Sequence, residues 1–235
     1  DGMLKPKCIM ASIFIDDCTP VTSPLLVLPG SHKEGLLTSS LHKDAEGKGY
    51  ELHHITNDIL ENLANKYEIQ NYRGSKLNVL NRFVEAASQY KADHVVRICA
   101  DNPFICSDLI DNLIKYYQQS ECDLVFNHSP LLNSNFADGF GAEILSTQTL
   151  NQVLKEANSD FHKEHVTKFI YDNKSNFKIC FPPCPSELSF PHLKFDVDKV
   201  HDLIELNHFL KTCQIQIDTP AKDILKVYAK YYSKK

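Results

Sequence analysis

From Thr56 onward the chain alternates between two spacings of apolar residues. In 56-TNDILENLANKY-67, Ile59, Leu60, Leu63, Ala64 and Tyr67 fall on one helical face, with Thr56 or Asn57 as the cap. A short strand-like EIQNY and a turn at Arg73-Gly74-Ser75 follow. LNVLNRFVEAASQY (77–90) then reads as a helix with Leu77, Leu80, Val84 and Ala87 on its inner face. Positions 94–99 read as strand. Ser107 is placed to cap a helix whose stripe is Leu109, Ile110, Leu113, Ile114 and Tyr117. CDLVF (122–126) and GAEIL (141–145) read as strands, with helices over 147–157 and 161–171, then FKICF (177–181) and LKFDV (193–197) as further strands. A helix over 199–211 and a last one opened by Thr219-Pro220 complete the pattern. Strands separated by helices predict an α/β fold on a mostly parallel sheet flanked by helices.

Residues 1–50 keep neither spacing for long. CIMASIFI (8–15) and LLVL (25–28) are strand-like and joined by polar DDCTPVTSP, and positions 38–51 are polar with glycines at 47 and 49. That is the composition of loop or linker. The predicted division is a β-rich N-terminal segment, 1–50, and an α/β domain, 51–235, with the change falling between Ser39 and His54.

Composition narrows the function. The 235 residues are 43% apolar and 23% charged, ordinary for a globular protein. A net charge of −5 supplies no basic field for nucleic acid. An acidic protein handling a polyanion would use a metal ion or a few local cations. The apolar runs stop well short of the roughly 20 residues that span a membrane. No charged segment followed by an apolar one opens the sequence, so no signal peptide and a cytoplasmic location are expected. Cys8, Cys99, Cys122 and Cys180 sit inside apolar strand-like runs, as reduced, buried cysteines of a cytosolic protein would. Cys180 and Cys184 in CFPPC have the spacing of half a metal site, but no second pair completes it.

Ligands of parallel α/β sheets gather at the carboxyl ends of the strands. Asp101 stands at such an end, where a carboxylate can hold a hard cation such as Mg²⁺. In 193-LKFDVDKVHDL-203, Asp196 and Asp198 are two apart, so on a strand both face one side and either can join Asp101 around one ion. The plainer alternative is that Asp198 caps the next helix and Asp101 a turn before Pro103. The Arg73-Gly74-Ser75 turn can meet a phosphate or a base, or be an ordinary turn. Asp138 and Glu143 flank a strand entry, where carboxylates can bind sugar hydroxyls or serve the turn. His162, Glu164 and His165 fall within one helical turn; the two histidines can share a metal or stand half-exposed on the helix.

RGS (73–75), VLNRF (79–83), VVRICADNPFICSDLID (95–111), ADGFGAEIL (137–145), KEHVTKFIY (163–171) and LKFDVDKVHDL (193–203), in that order, resemble the cytidylyltransferases of spore-coat polysaccharide biosynthesis. These belong to the wider group of acylneuraminate and deoxy-octulosonate cytidylyltransferases. The likeness covers about 57–210. It implies a Rossmann-like nucleotide-diphospho-sugar transferase (GT-A type) fold. It also implies transfer of CMP from CTP to a sugar acid or sugar phosphate with Mg²⁺, with a homodimer as the assembly to test. By that pattern Asp101 and Asp198 hold Mg²⁺ and carry the catalysis. Arg73, Gly74, Ser75, Arg82, Arg97, Ala100 and Asn102 lie on the nucleotide side, and Asp138, Glu143, Glu164 and His165 toward the sugar. Asp196 departs from the pattern, where a hydroxyl or other residue is more usual. A larger departure lies upstream. The family opens with a strand and an Arg-, Gly- and Ser-rich loop ending in Leu-Pro-Gly-Lys that cradles the triphosphate, and this sequence has no recognisable counterpart. Impaired transfer is therefore expected. SIFIDDCTPVTSPLLVLPGSHKEGLL (12–37) instead resembles phytanoyl-CoA dioxygenases and ectoine hydroxylases. Two alternatives follow: an Fe(II)/2-oxoglutarate dioxygenase remnant, or a nucleotide- or sugar-binding protein without turnover. CIMASIFI and LLVL are expected to cover the sheet edge left by the missing strands.

Overall fold

The computed structural model describes residues 8–12, 39–43, 49–53, 65, 70–75, 77–216 and 219–232. The helix expected over 56–67, the LLVL strand and the PGSHK turn lie outside the described residues. Two compact units are present, one formed by Asp1–Leu25 with Gly74–Lys235 and the other by Leu26–Arg73. In the second, β2 (Ser39–Lys43) and β3 (Gly49–His53) form an antiparallel pair.

In the first unit the described strands are β1 (Cys8–Ser12), β4 (His94–Ile98), β5 (Leu124–Phe126), β6 (Glu143–Ser146) and β7 (Ile179–Cys180). They form one sheet in the order β1-β4-β6-β5-β7. β1 lies parallel to β4, as the CIMASIFI part of the edge-covering expectation requires. The sheet is mixed rather than mostly parallel, because β6 runs antiparallel to both β4 and β5. Only a short 3-10 turn, Leu131–Asn133, is assigned between β5 and β6. A parallel return needs a crossover of a dozen or more residues, usually a helix, so β6 comes back antiparallel.

The helices are α1 (Val79–Gln89), α2 (Ser107–Gln118), α3 (Thr147–Glu156), α4 (Asp160–Glu164), α5 (Lys168–Asp172), α6 (Val200–Cys213) and α7 (Ala221–Tyr232). Strand alternation divides the core between the two faces of the sheet. Val95, Leu124 and Leu145 pack with Leu80 and Phe83 of α1 and with Leu150 and Val153 of α3. Val96, Val125 and Ile144 pack with Ile110 and Leu113 of α2. A third cluster joins Phe195 and Val197 to Phe209 of α6 and Leu225 and Tyr228 of α7.

Several local expectations are corrected. Leu77 is 82% exposed. Leu80 and Ala87 face inward as expected, with Val84 packed partly buried beside them; Val79, Phe83 and Ala86 complete the inner face, and Asn78 caps the helix, its side chain accepting from the Asn81 N–H. Cys106, not Ser107, precedes α2, with no side-chain cap. LKFDV joins no sheet; instead the Asp138 N–H donates to the Leu193 carbonyl and the Asp138 carbonyl accepts from the Phe195 N–H, one isolated bridge at Asp138 and Lys194. Cys122 and Cys180 are joined in a disulfide that ties the approach to β5 to β7, so these two are not reduced thiols. That bond also removes Cys180 from any metal site with Cys184. Among the described residues no helix is long and apolar enough to cross a membrane.

Candidate active site

The strand register builds the site's floor. Arg97 on β4 and Phe126 on β5 both lie opposite Glu143, the first residue of β6. An arginine and a glutamate placed opposite each other on a covered face must pair, since a buried charge without a partner is costly. Arg97 Nη1 donates to Glu143 Oε2 at 2.7 Å. The Thr167 hydroxyl donates to the same carboxylate at 2.9 and 3.1 Å, and the Tyr171 hydroxyl at 2.9 Å. Burial alone would raise the Glu143 pKa, but the Arg97 charge and the nearby His128 outweigh it and hold the group well below the usual carboxylate range. Burial likewise opposes the Arg97 charge, and its anionic surroundings, Glu143 among them, raise its pKa instead.

Above this floor opens a cavity of about 300 Å³, lined by Arg97, Cys99, Asp101, Asn102, His128, Asp138, Glu143, Phe161, His165, Thr167, Lys168, Tyr171 and Asp196. Three local devices bring these elements together. The Val197 N–H donates to the Asp101 carbonyl at 2.8 Å, tying the 193–198 segment to the loop after β4. Gly139 has φ +103°, a conformation that L side chains rarely adopt, and a Cβ there would lie 2.9 Å from that of Phe195. The helix expected over 161–171 breaks at 165–167, between α4 and α5. Thr167 turns inward to reach Glu143, and the break leaves His165 in the cavity wall, 4.5 Å from the Phe161 ring centroid. His162 instead contacts Asp172 at 3.0 Å, so the two histidines are not a helical i,i+3 pair.

Four aspartates gather at the cavity's edge. Burial raises the Asp101 pKa, and the charges of Asp198 and Asp138 add to it. Burial and then Asp138 push Asp196 up to about 6, against the pull of Lys194. Asp101 Oδ1 and Asp196 Oδ1 are buried and have no hydrogen-bond partner. Lys194 Nζ contacts Asp196 Oδ2 at 3.1 Å and Asp198 Oδ2 at 2.6 Å. Two partnerless carboxylate oxygens beside a third carboxylate suit an oxygen-seeking hard cation. Among the described residues no three His, Cys, Asp or Glu side chains form a ready-made metal cluster. Burial pushes the Cys99 thiol up to about 12, so it is neutral there.

Of the residues singled out in the sequence, Arg97, Asp101, Asn102, Asp138, Glu143, His165 and Asp196 line the cavity. Ala100 lies in the loop between Cys99 and Asp101, and Asp198 stands beside the cluster. Ser75 accepts from the Asn78 N–H through Oγ, and Arg82 donates to the Ser75 carbonyl, so both serve the start of α1. Gly74 adjoins this turn; Arg73 belongs to the other compact unit. Glu164, the last residue of α4, does not line the cavity. Sequence reasoning missed His128, Phe161, Thr167, Lys168 and Tyr171. His128 carried a usable signal, standing two residues past the end of β5, much as Asp101 stands three past the end of β4.

A mixed sheet with helices on both faces carries a charged cavity at the end of β4, the architecture of an α/β protein with its site at a strand end. The family profile described as cytidylyltransferase matches residues 53–233, and the chain belongs to that family. It is 32% identical over 146 residues to the uncharacterised protein MJ1063 of Methanocaldococcus jannaschii, a match spanning 62% of this chain and 57% of that one. It is 26% identical over 171 residues to the spore coat polysaccharide biosynthesis protein SpsF of Bacillus subtilis, covering 72% and 69% of the two chains. Among solved structures, a cytidylyltransferase from Leptospira borgpetersenii shares the fold at a TM-score of 0.65 and 23% identity, over 77% of this chain and 74% of that one.

Proposed function

We propose that this protein transfers CMP from CTP to a sugar acid or sugar phosphate, releasing pyrophosphate. The carrying observation is Asp101, a half-buried carboxylate at the end of β4 whose Oδ1 has no partner, in a cytidylyltransferase-family chain. Leaving such an oxygen unsatisfied costs about 1–3 kcal/mol or more for a charged group, and a cation relieves it. Asp101 and Asp198 would hold Mg²⁺, with Asp196 beside them. When bound, Mg²⁺ supplies neutralisation of the triphosphate and bridging of its oxygens. Asn102 and Ala100 shape the loop on the nucleotide side, and Gly74, Ser75 and Arg82 set the turn into α1 toward the same ligand. Asp138 and His165 face the acceptor, with Glu164 next to His165. Arg97 and Glu143 act as the rigid floor rather than as free ligand groups, because each is spent on the other.

CTP with Mg²⁺ is expected to raise the melting temperature, and Asp101→Asn to abolish that rise; an unchanged Mg²⁺ dependence would defeat the metal assignment. Pyrophosphate release over a panel of nonulosonic acids and sugar phosphates tests the chemistry. Release only from a chain given an Arg-, Gly- and Ser-rich loop would mark impaired transfer; stabilisation with no release from either chain would mark a binding protein. A cytoplasmic location belongs to the same reading. Cytosolic disulfides are rare, so thiol counting in fresh lysate tests that location against the Cys122–Cys180 bond.

A further inference from the structure

We propose that Cys122 is a thiol-exchange site, at which a low-molecular-weight thiol opens the Cys122–Cys180 disulfide and thereby loosens the support of Glu143. This site lies apart from the candidate active site and does not depend on the transferase reading. Cys122 lines a second cavity, of about 320 Å³, with His94, Tyr117, Gln118 and Ser120 around it. The cavity opens at the first residue of β4, whereas Asp101 lies past the last. Its volume falls at the small end of ligand cavities, roughly 300–1,000 Å³. The imidazole, amide and hydroxyl groups on its wall suit the amides and carboxylates of a peptide-like thiol. That wall is held in place: the His94 ring stands edge-on to Tyr117 at 5.3 Å, and the Ser120 hydroxyl donates to the Tyr117 carbonyl at 3.1 Å. Cys180, on β7, is not part of the wall.

Exchange proceeds at the sulfur that a thiolate can reach, which here is Cys122 Sγ. The incoming thiolate bonds to Cys122 Sγ, the bond between the two cysteines breaks, and Cys180 leaves as a thiolate that takes a proton from water. A second small thiolate then displaces Cys122 from the mixed disulfide. The two small thiols depart as their own disulfide, having supplied both electrons. The effect reaches the floor of the candidate site through ring contacts. β7 is two residues long and stands at the edge of the sheet, paired only with β5 through Ile179 and Cys180. The disulfide is the covalent tie on that short pairing. Phe181 follows directly, and its ring stands edge-on to Phe126 at 5.6 Å. Phe126 is fully buried and stands edge-on to Tyr171 at 5.8 Å. The Tyr171 hydroxyl donates to Glu143 at 2.9 Å. Opening the disulfide frees β7, and Phe181, Phe126 and Tyr171 carry the displacement to the carboxylate.

The test incubates the oxidised full chain with glutathione, quenches in acid and maps the modified peptides by mass spectrometry. The mixed disulfide should form on Cys122, with the free thiol on Cys180. Gln118→Trp, at an exposed position on the cavity wall, should slow the exchange about tenfold in the folded protein and leave it unchanged in urea, as lost access requires. Glutathione found on Cys180 instead, or a Gln118→Trp rate equal to that of the native chain, would overturn the site. Cys180→Ser treated with glutathione disulfide supplies a lasting form of the adduct. Between the oxidised chain and this adduct the side-chain resonances of Tyr171 should shift, while those of Tyr228 on α7 stay in place. Unmoved Tyr171 resonances, or equal shifts at Tyr171 and Tyr228, would overturn the link to Glu143. None of these readouts uses CTP, so failure of the transferase reading shows separately, as absence of Asp101-dependent stabilisation by CTP and Mg²⁺.

Discussion

The buried Glu143 carboxylate serves three donors, Arg97, Thr167 and Tyr171, in a place closed to water. Glu143→Gln keeps the shape but strips Arg97 of its counter-charge. Breaking one side of a buried pair costs about 3–5 kcal/mol, so the urea midpoint should fall accordingly. The pH signs follow from the shifts. Glu143 has its pKa lowered on folding, so its contribution is full above the unfolded carboxylate value near 4.3 and is lost as pH falls below it. His128 behaves oppositely. Its pKa rises from 6.5 to about 9, so its contribution is full below 6.5 and is lost as pH climbs toward 9. A decline on the order of 3 kcal/mol across that alkaline window is expected, and His128→Asn should flatten it; an equal decline in the variant would rule the ring out as its source. At this scale the sequence revealed candidates but not partners. Asp101, Asp138 and Glu143 stood out as carboxylates at element ends. Nothing in the one-dimensional pattern says that Glu143 falls opposite Arg97, because that depends on β6 running antiparallel between β4 and β5.

Element identity was largely legible from spacing, and element direction and continuity were not. Stripes such as Leu109, Ile110 and Leu113 located α2 because one face must leave water. The 161–171 helix was misread as continuous, since Thr167 breaks it for a tertiary bond to Glu143 that outranks local propensity. LKFDV had the apolar alternation of a strand, yet its backbone is engaged by Asp138 and Asp101 instead of a sheet. The disulfide was also invisible: Cys122 and Cys180 are 58 residues apart, each inside an apolar run. Closing a loop of that length restricts the unfolded chain by an entropy worth about 4 kcal/mol. Oxidised protein should therefore unfold at higher urea than protein held in reductant, and Cys122→Ser with Cys180→Ser should match the reduced protein in either condition. A reductant effect that persists in the double variant would point to other cysteines.

At the scale of the whole molecule, the candidate site is assembled from two separately packed parts. Asp101 and the Arg97–Glu143 floor are carried by the central sheet, whereas Asp196 and Asp198 hang from a segment backed by the third cluster. The coupling between them is the Val197 N–H to Asp101 carbonyl bond and the backbone bonds of Asp138 with Leu193 and Phe195, and the Phe195 ring is backed by a tilted contact with Tyr228 of α7, with ring centroids 4.4 Å apart. Damage to that cluster should therefore reach the metal carboxylates, while comparable damage on the far face of the sheet should not. Tyr228→Ala empties the space between Phe195 and Phe209, and removing a buried aromatic costs about 3–5 kcal/mol. Leu113→Ala on α2 removes a fully buried leucine from the opposite cluster at about 2–5 kcal/mol. Both variants should show lower urea midpoints. At a temperature where each remains folded, only Tyr228→Ala should weaken Mg²⁺-dependent CTP binding, by about threefold or more, the effect of a displacement worth ~0.7 kcal/mol at the cation. Equal CTP affinities in the two variants would show that the 193–198 segment holds its carboxylates without help from α7, through its backbone bonds to Asp101 and Asp138.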